Sequence, residues 1–134
     1  MDALYPRLLV RDFARAVEFY RAALRDLLNA EPVKVLPEAQ YANWDVAGEA
    51  GLVLYGRATI AEVVGTTDLP EAAPAQDSAM LVMRVGDVDD ACARLVRHGA
   101  RVASPPQDRP DWAPTMRTAH LRDPEGNLIE LQSY

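Results

Sequence analysis

One arrangement of apolar and polar residues occurs twice along the chain. In each copy an apolar strand runs into an aspartate, and apolar residues then recur at the helical positions i, i+3, i+4 and i+7. The first copy consists of Asp12, Phe13, Ala16, Val17 and Tyr20, and the second of Asp87, Val88, Ala91, Cys92 and Leu95. The chain therefore contains an internal repeat that begins with a strand and an amphipathic helix.

Each of these aspartates is placed to cap its helix. A carboxylate at this position accepts hydrogen bonds from the backbone N–H groups that the first helical turn leaves free. We predict helices over residues 13–28 and 88–98. We expect Gly99 to end the second helix in a left-handed conformation.

Short strands are predicted after each helix, because apolar runs there are bounded by turn-forming residues. They cover residues 33–36, 41–46 and 52–55 in the first half, and 101–103, 116–121 and 128–132 in the second. A turn over residues 48–51, a short helix over 59–64 and a turn over 123–127 complete the pattern.

The resulting order is βαβββ twice, which predicts an α+β protein. We expect two tandem βαβββ modules forming a curved, mainly antiparallel sheet. They belong to one domain over residues 1–134, with a first module over about 1–64 and a second over about 79–134. Residues 65–78, rich in Pro, Ala, Asp and Thr, are expected to be a linker.

Composition narrows the class of protein. The chain has 134 residues, of which 49% are hydrophobic, enough for the core of one domain. A net charge of −6 argues against nucleic acid as a partner, and no stretch suits a signal peptide or membrane span. Cys92 is the single cysteine, which excludes internal disulfides and Cys-cluster metal sites. We expect a cytoplasmic protein that does not bind membranes.

Both ends of the chain resemble the vicinal oxygen chelate superfamily. The opening Leu-Val-Arg-Asp-Phe over residues 9–13 and the closing Asp-Pro-Glu-Gly-Asn-Leu-Ile-Glu-Leu over residues 123–131 carry the resemblance. This superfamily includes glyoxalase I, extradiol dioxygenases, epimerases, fosfomycin-resistance enzymes and bleomycin-resistance proteins. The resemblance implies a small organic ligand, a U-shaped cleft between paired modules and a homodimer.

The resemblance also implies where a metal would bind. The ligand positions of the superfamily's metal enzymes correspond to Tyr5, Leu54, Met80 and Glu130, of which only Glu130 is a good ligand. Because a divalent ion needs several converging donors, we predict no metal and no other cofactor. The chain then resembles most the metal-free bleomycin-resistance-type binding proteins.

Two polar residues are candidates for chemistry. His120 precedes the 123–127 turn, and an antiparallel hairpin would bring it opposite or diagonal to Glu130. Such a pair could act as general base or proton shuttle, or His120 could be an ordinary hydrogen-bonded strand residue. Glu130 could equally bind a ligand hydroxyl or amine, or pair with an arginine. His98, in a last helical turn, is interpreted as structural.

Aromatic residues make up only 7% of the chain, so their positions are informative. Trp112 lies in a Pro-rich segment, where contact with a ligand or a dimer interface explains it better than core packing. Trp44 lies on a central strand and could stack on a ligand or belong to the core. The further predicted ligand-binding residues are Tyr5, Tyr55, Met116 and Arg117, together with His120 and Glu130.

Two classes of function remain open from the sequence. The first, which we favour, is a metal-independent binding protein that sequesters a flat aromatic antibiotic or natural product, as in self-resistance. The second is a metal-independent isomerase, epimerase or cyclase with His120 and Glu130 as acid and base. A metal-dependent lyase or dioxygenase fits least well, because the implied ligands are missing.

Overall fold

The described residues, 3–71 and 76–134 of a computed structural model, form eight strands, three α-helices and one short 3-10 helix (Pro37–Ala39). The first series is β1 (Arg7–Val10), α1 (Phe13–Leu28), β2 (Pro32–Leu36), β3 (Tyr41–Val46), β4 (Glu49–Gly56) and α2 (Arg57–Val64). The second series is β5 (Leu81–Arg84), α3 (Val88–Arg97), β6 (Arg101–Asp108), β7 (Arg117–Arg122) and β8 (Leu128–Ser133). The predicted βαβββ repeat and its α+β class are confirmed.

The two repeat helices begin where the sequence predicts. The Asp12 carboxylate accepts a hydrogen bond from the Arg15 N–H (3.2 Å), and Asp87 accepts one from the Asp90 N–H (3.0 Å). The bounds of α1 match the prediction, whereas α3 ends one residue early, at Arg97. Gly99 has a φ of +114°, which confirms its left-handed role after the helix.

Each series forms its own four-stranded sheet. The strand orders are β1-β4-β3-β2 and β5-β8-β7-β6, and the first pair of each is parallel while the others are antiparallel. The chain divides into two compact units, Met1–Ala75 and Gln76–Tyr134. The module bounds and the single domain stay predictions, and residues 72–75 of the predicted linker lie outside the described residues.

The core of each unit lies on one face of its sheet. In the first unit the buried face of β3 and β4, which packs with α1, consists of Ala42, Trp44, Leu52 and Leu54. In the second unit the buried face of β7 and β8, which packs with α3, consists of Ala119, Leu121, Ile129 and Leu131. Because side chains alternate along a strand, the residues between them point to the opposite face. We call the opposite face of the second sheet its open face.

Several bounds differ from the predictions, for local reasons. The first hairpin turns at Ala47 and Gly48, both with positive φ, rather than over residues 48–51, so β4 begins at Glu49. β6 continues to Asp108 through Pro105 and Pro106. Prolines are tolerated there because β6 is an edge strand and its pairing with β7 shifts register twice.

The 123–127 turn is held by a buried carboxylate. Asp123 accepts hydrogen bonds from the backbone N–H groups of Glu125 (2.9 Å) and Asn127 (2.8 Å), and from the Asn127 side chain (2.9 Å). Its role in turn structure is confirmed. Cys92 is buried, and this burial raises the pKa of its thiol, with a smaller contribution from the nearby negative charge of Asp89. None of the helices in the described ranges has both the length and the apolar character needed to cross a bilayer.

The cap of α3 gives a first prediction. Asp87→Ala should lower the free energy of unfolding by about 1 kcal/mol, because the N–H of Asp90 loses its acceptor. Asp87→Asn should change the free energy of unfolding by only a few tenths of a kcal/mol, since asparagine caps a helix as well as aspartate does. Urea denaturation measures both, and equal losses in the two variants would show that charge rather than capping matters.

Candidate functional site

The open face of the second sheet carries a hydrogen-bonded pair at its centre. His120 on β7 lies directly opposite Glu130 on β8, and His120 Nε2 is 2.8 Å from Glu130 Oε1. The side chain of Gln132 donates to the other carboxylate oxygen, Oε2, at 2.9 Å. The hairpin pairing expected from the sequence is therefore confirmed, and Glu130 is held at both oxygens.

The pair is largely shielded from solvent. The His120 side chain is 14% exposed and the Glu130 side chain 6% exposed. A carboxylate that is buried to this degree needs hydrogen-bond donors, and His120 and Gln132 supply them. The arrangement therefore fixes the orientation of the imidazole ring.

An aromatic ring lies beside this pair. Trp112 is 55% exposed, and its ring centroid is 6.2 Å from that of His120, in an edge-to-face arrangement. The loop that carries it is closed by backbone hydrogen bonds from Arg109 to Met116 (2.8 Å) and from Trp112 to Arg109 (2.9 Å). The loop thus positions an exposed indole next to a buried polar pair, and brings the partly buried Met116 to its base.

Arg109 connects the loop to the sheet, a role that the sequence did not reveal. Its guanidinium carbon lies 4.7 Å from the centre of the Trp112 ring, and its Nε donates to Thr118 Oγ1 at 3.0 Å. Its Nη2 reaches Ser104 Oγ at 3.5 Å, and Gln107 donates to the same hydroxyl at 3.0 Å. In the sequence, the only indication of this contact is the spacing of three residues between Arg109 and Trp112 in a turn-rich segment.

Arg117 is not brought to this cluster. It lies on the opposite face of β7, where it binds Asp89 on α3 (2.7 and 2.9 Å) and Asp108 (3.0 Å). These two carboxylates hold the pKa of Arg117 well above its usual range. The guanidinium of Arg117 therefore forms ion pairs with two carboxylates of its own unit.

The remaining predicted residues belong to the first unit. Trp44 is 0% exposed and lies in the core, on the face that packs with α1. Tyr55 lies on the other face of its sheet, 6.1 Å from the Tyr41 ring and 5.3 Å from the Arg7 guanidinium. Tyr5 is 39% exposed, ahead of β1.

A shallow groove of about 510 Å³ runs over the first sheet and is lined in part by Tyr41, Asn43 and Tyr55. Tyr55 is therefore accessible to a small molecule within its own unit. Trp44 is not, because it packs on the other side of the same strands.

Residues 3–71 and 76–134 bring together too few donor side chains to hold a divalent metal. Among the described residues, no three His, Cys, Asp or Glu side chains are close enough together to share an ion. His120 and Glu130 offer two donors, which bind each other. Leu54, the position implied for a ligand in the first half, faces the buried side of its sheet, and no step through a metal follows from these residues.

Nearly the whole chain matches a known family. A family model described as the Glyoxalase/Bleomycin resistance protein/Dioxygenase superfamily matches residues 4–131. The chain belongs to this superfamily. A curated relative, the Bacillus subtilis (strain 168) protein YraH, described as uncharacterized, is 39% identical over 132 residues, covering 98% of this chain and 97% of its own.

Solved structures of the glyoxalase superfamily share the fold. A glyoxalase-related enzyme from Fulvimarina pelagi has a TM-score of 0.75 at 20% identity, over 100% of this chain and 88% of that one. A glyoxalase/bleomycin resistance protein/dioxygenase from Nocardioides has a TM-score of 0.72 at 24% identity, and the match covers 100% of this chain and 83% of that chain. At these identities the likeness concerns the fold alone.

The Arg117 ion pair predicts a dependence of stability on pH. Hydrogen bonds from Arg117 lower the pKa of Asp89 in the folded protein, so the pair contributes stability at neutral pH that is lost as the pH falls. Asp89→Asn should therefore be less stable than the wild type at pH 7, and the difference should shrink below about pH 4.

Asp90→Asn is the matched control for this prediction. It removes the same charge from the same helical turn but leaves the Arg117 contact intact, so its effect should be smaller. Denaturation curves collected across the pH range measure both variants. A difference for Asp89→Asn that stays constant down to acid pH would contradict the assignment.

Proposed function

We propose that this protein binds a flat aromatic small molecule on the open face of the second sheet and sequesters it without a catalytic metal. The observation that carries the proposal is Trp112, a half-exposed indole beside the His120–Glu130 pair. Exposed aromatic rings next to a few placed polar groups are typical of small-molecule sites.

The physical properties of the site support binding. Offset stacking on an indole contributes about 0.5–1.5 kcal/mol beyond the burial of apolar area. The Trp112 loop is closed by its own backbone hydrogen bonds, which lowers the entropy cost of ordering it on binding. Arg109 and His120 then offer polar groups that orient a bound ring, and Glu130 holds the imidazole of His120 in place.

Protection against an aromatic antibiotic is the biological role we propose for this binding. It agrees with the family, whose description includes bleomycin resistance proteins. Tyr5 and Tyr55 remain candidate contacts in the first unit, and the homodimer remains part of the proposal. Sedimentation of the purified protein measures its assembly state.

Ligand binding should be visible through Trp112. Flat aromatic natural products should quench tryptophan fluorescence and raise the melting temperature, because a ligand that binds only the folded state stabilises it. Trp44 is wholly buried, so the quenching reports on Trp112. Trp112→Ala should weaken binding about tenfold or more, which corresponds to about 1.4 kcal/mol. Because this variant lacks the reporting indole, its affinity is measured from the rise in melting temperature with ligand concentration.

Tyr134→Ala is the matched control, since Tyr134 is similarly exposed (58%) and has an arginine, Arg84, over its ring at 4.2 Å. It should leave the affinity unchanged. If no compound of a broad aromatic panel quenches the fluorescence or raises the melting temperature, the proposed function is wrong.

The 2.8 Å hydrogen bond between His120 and Glu130 favours a second candidate function. A histidine oriented by a carboxylate can remove a proton from a carbon acid and return it at the same or another carbon, as an isomerase, epimerase or cyclase requires. Such a reaction needs no external oxidant or reductant, because every atom and electron of the substrate is retained in the product.

Deuterium exchange separates the two functions. Under the second function, compounds that bind should take up deuterium from D₂O or change structure, as mass spectrometry and NMR would show. His120→Ala should then abolish exchange by removing the base. Bound compounds recovered without deuterium would leave sequestration as the function, and exchange that persists in His120→Ala would show that another group is the base.

A further inference from the structure

The two nitrogens of His120 differ in their hydrogen bonds. Nε2 faces Glu130 Oε1 at 2.8 Å, while Gln132 donates to Glu130 Oε2 at 2.9 Å. Because a carboxylate oxygen can only accept a hydrogen bond, we assign the hydrogen of this bond to Nε2. In the neutral ring Nδ1 then has a free lone pair and is an acceptor.

Nδ1 has no partner within the described residues and is not fully enclosed. It makes no hydrogen bond within the part of the chain that the structure describes. The buried side-chain nitrogens and oxygens that lack a partner there are Asn43 Oδ1 and Trp44 Nε1, so Nδ1 is not sealed in the core. An accessible acceptor on an otherwise shielded side chain is suited to receive an N–H or O–H group.

The imidazole ring of His120 lies close to the exposed indole of Trp112. The ring centres of His120 and Trp112 are 6.2 Å apart, with an angle of 74° between their planes. The Arg109 guanidinium covers part of the indole from 4.7 Å, and more than half of Trp112 is still exposed. A ring stacked on Trp112 would therefore bring a substituent on its edge to His120.

We propose that the site selects aromatic compounds that carry a phenolic hydroxyl, whose O–H donates to His120 Nδ1 while the ring stacks on Trp112. This inference rests on the proposed function and names the class of ligand. An aryl ether has only an acceptor oxygen, which would face the lone pair of Nδ1 and leave both groups unpaired. His120 determines specificity, and Glu130 is a positioning residue that sets the tautomer.

The test compares 2-naphthol with 2-methoxynaphthalene, which share a flat ring and differ in the hydroxyl hydrogen and one methyl group. The wild type should bind 2-naphthol about tenfold more tightly or better, measured by tryptophan quenching. His120→Phe keeps a ring but removes both nitrogens, and should bring the ratio of the two affinities close to one by weakening 2-naphthol alone.

Glu130→Gln tests the tautomer without removing His120. The new amide can donate to Nε2, so the ring can carry its hydrogen on Nδ1 instead and lose its free acceptor. The preference for 2-naphthol should fall in this variant as well, although residue 130 does not contact the hydroxyl. Because the wild-type comparison needs no substitution, the proposal stays testable if either variant unfolds.

The outcomes separate this inference from the proposed function. Equal affinities of the two compounds for the wild type would overturn hydroxyl recognition and leave aromatic binding intact. Binding of other aromatic compounds with no measurable binding of 2-naphthol would also overturn it. Failure of every aromatic compound in the panel would overturn both.

Discussion

The antiparallel pairing of β7 with β8 is the constraint on which the site depends. It places His120 opposite Glu130, and a slip of one residue would turn every side chain of one strand to the other face. Two features hold the register. The Asp123 carboxylate closes the connecting turn, and four apolar side chains of the two strands are 0% exposed on the face toward α3: Ala119, Leu121, Ile129 and Leu131.

The features that the sequence predicts well are local ones. Helix α1 begins directly after the aspartate that caps it, and apolar residues recur along its length at helical spacing. Because both signals come from neighbouring residues, the bounds of the helix follow from the sequence. The same holds for the 123–127 turn, whose residue types specify its geometry. The His120–Glu130 pair could be expected because this turn sets the offset between its two strands.

The features that the sequence did not predict depend on which face of the sheet a side chain points to, and on contacts between residues that are far apart in the sequence. Arg117 and His120 are three residues apart on one strand, and only packing decides which of them faces α3. A tryptophan on a central strand suits a ligand site and a core equally well, so the sequence does not decide between them. In the structure Trp44 is 0% exposed and lies in the core. Arg109 gains its role from Thr118 and Ser104, on strands that the Trp112 loop joins.

The prolines of β6 have a consequence for the behaviour of the protein at high concentration. β6 is the outer strand of the second sheet, and a free outer strand can recruit a strand of another molecule through its unpaired N–H groups. Pro105 and Pro106 have no N–H group, and the shifts in register bend the strand there. This border of the sheet is therefore a poor template for the cross-strand stacking that leads to fibrils.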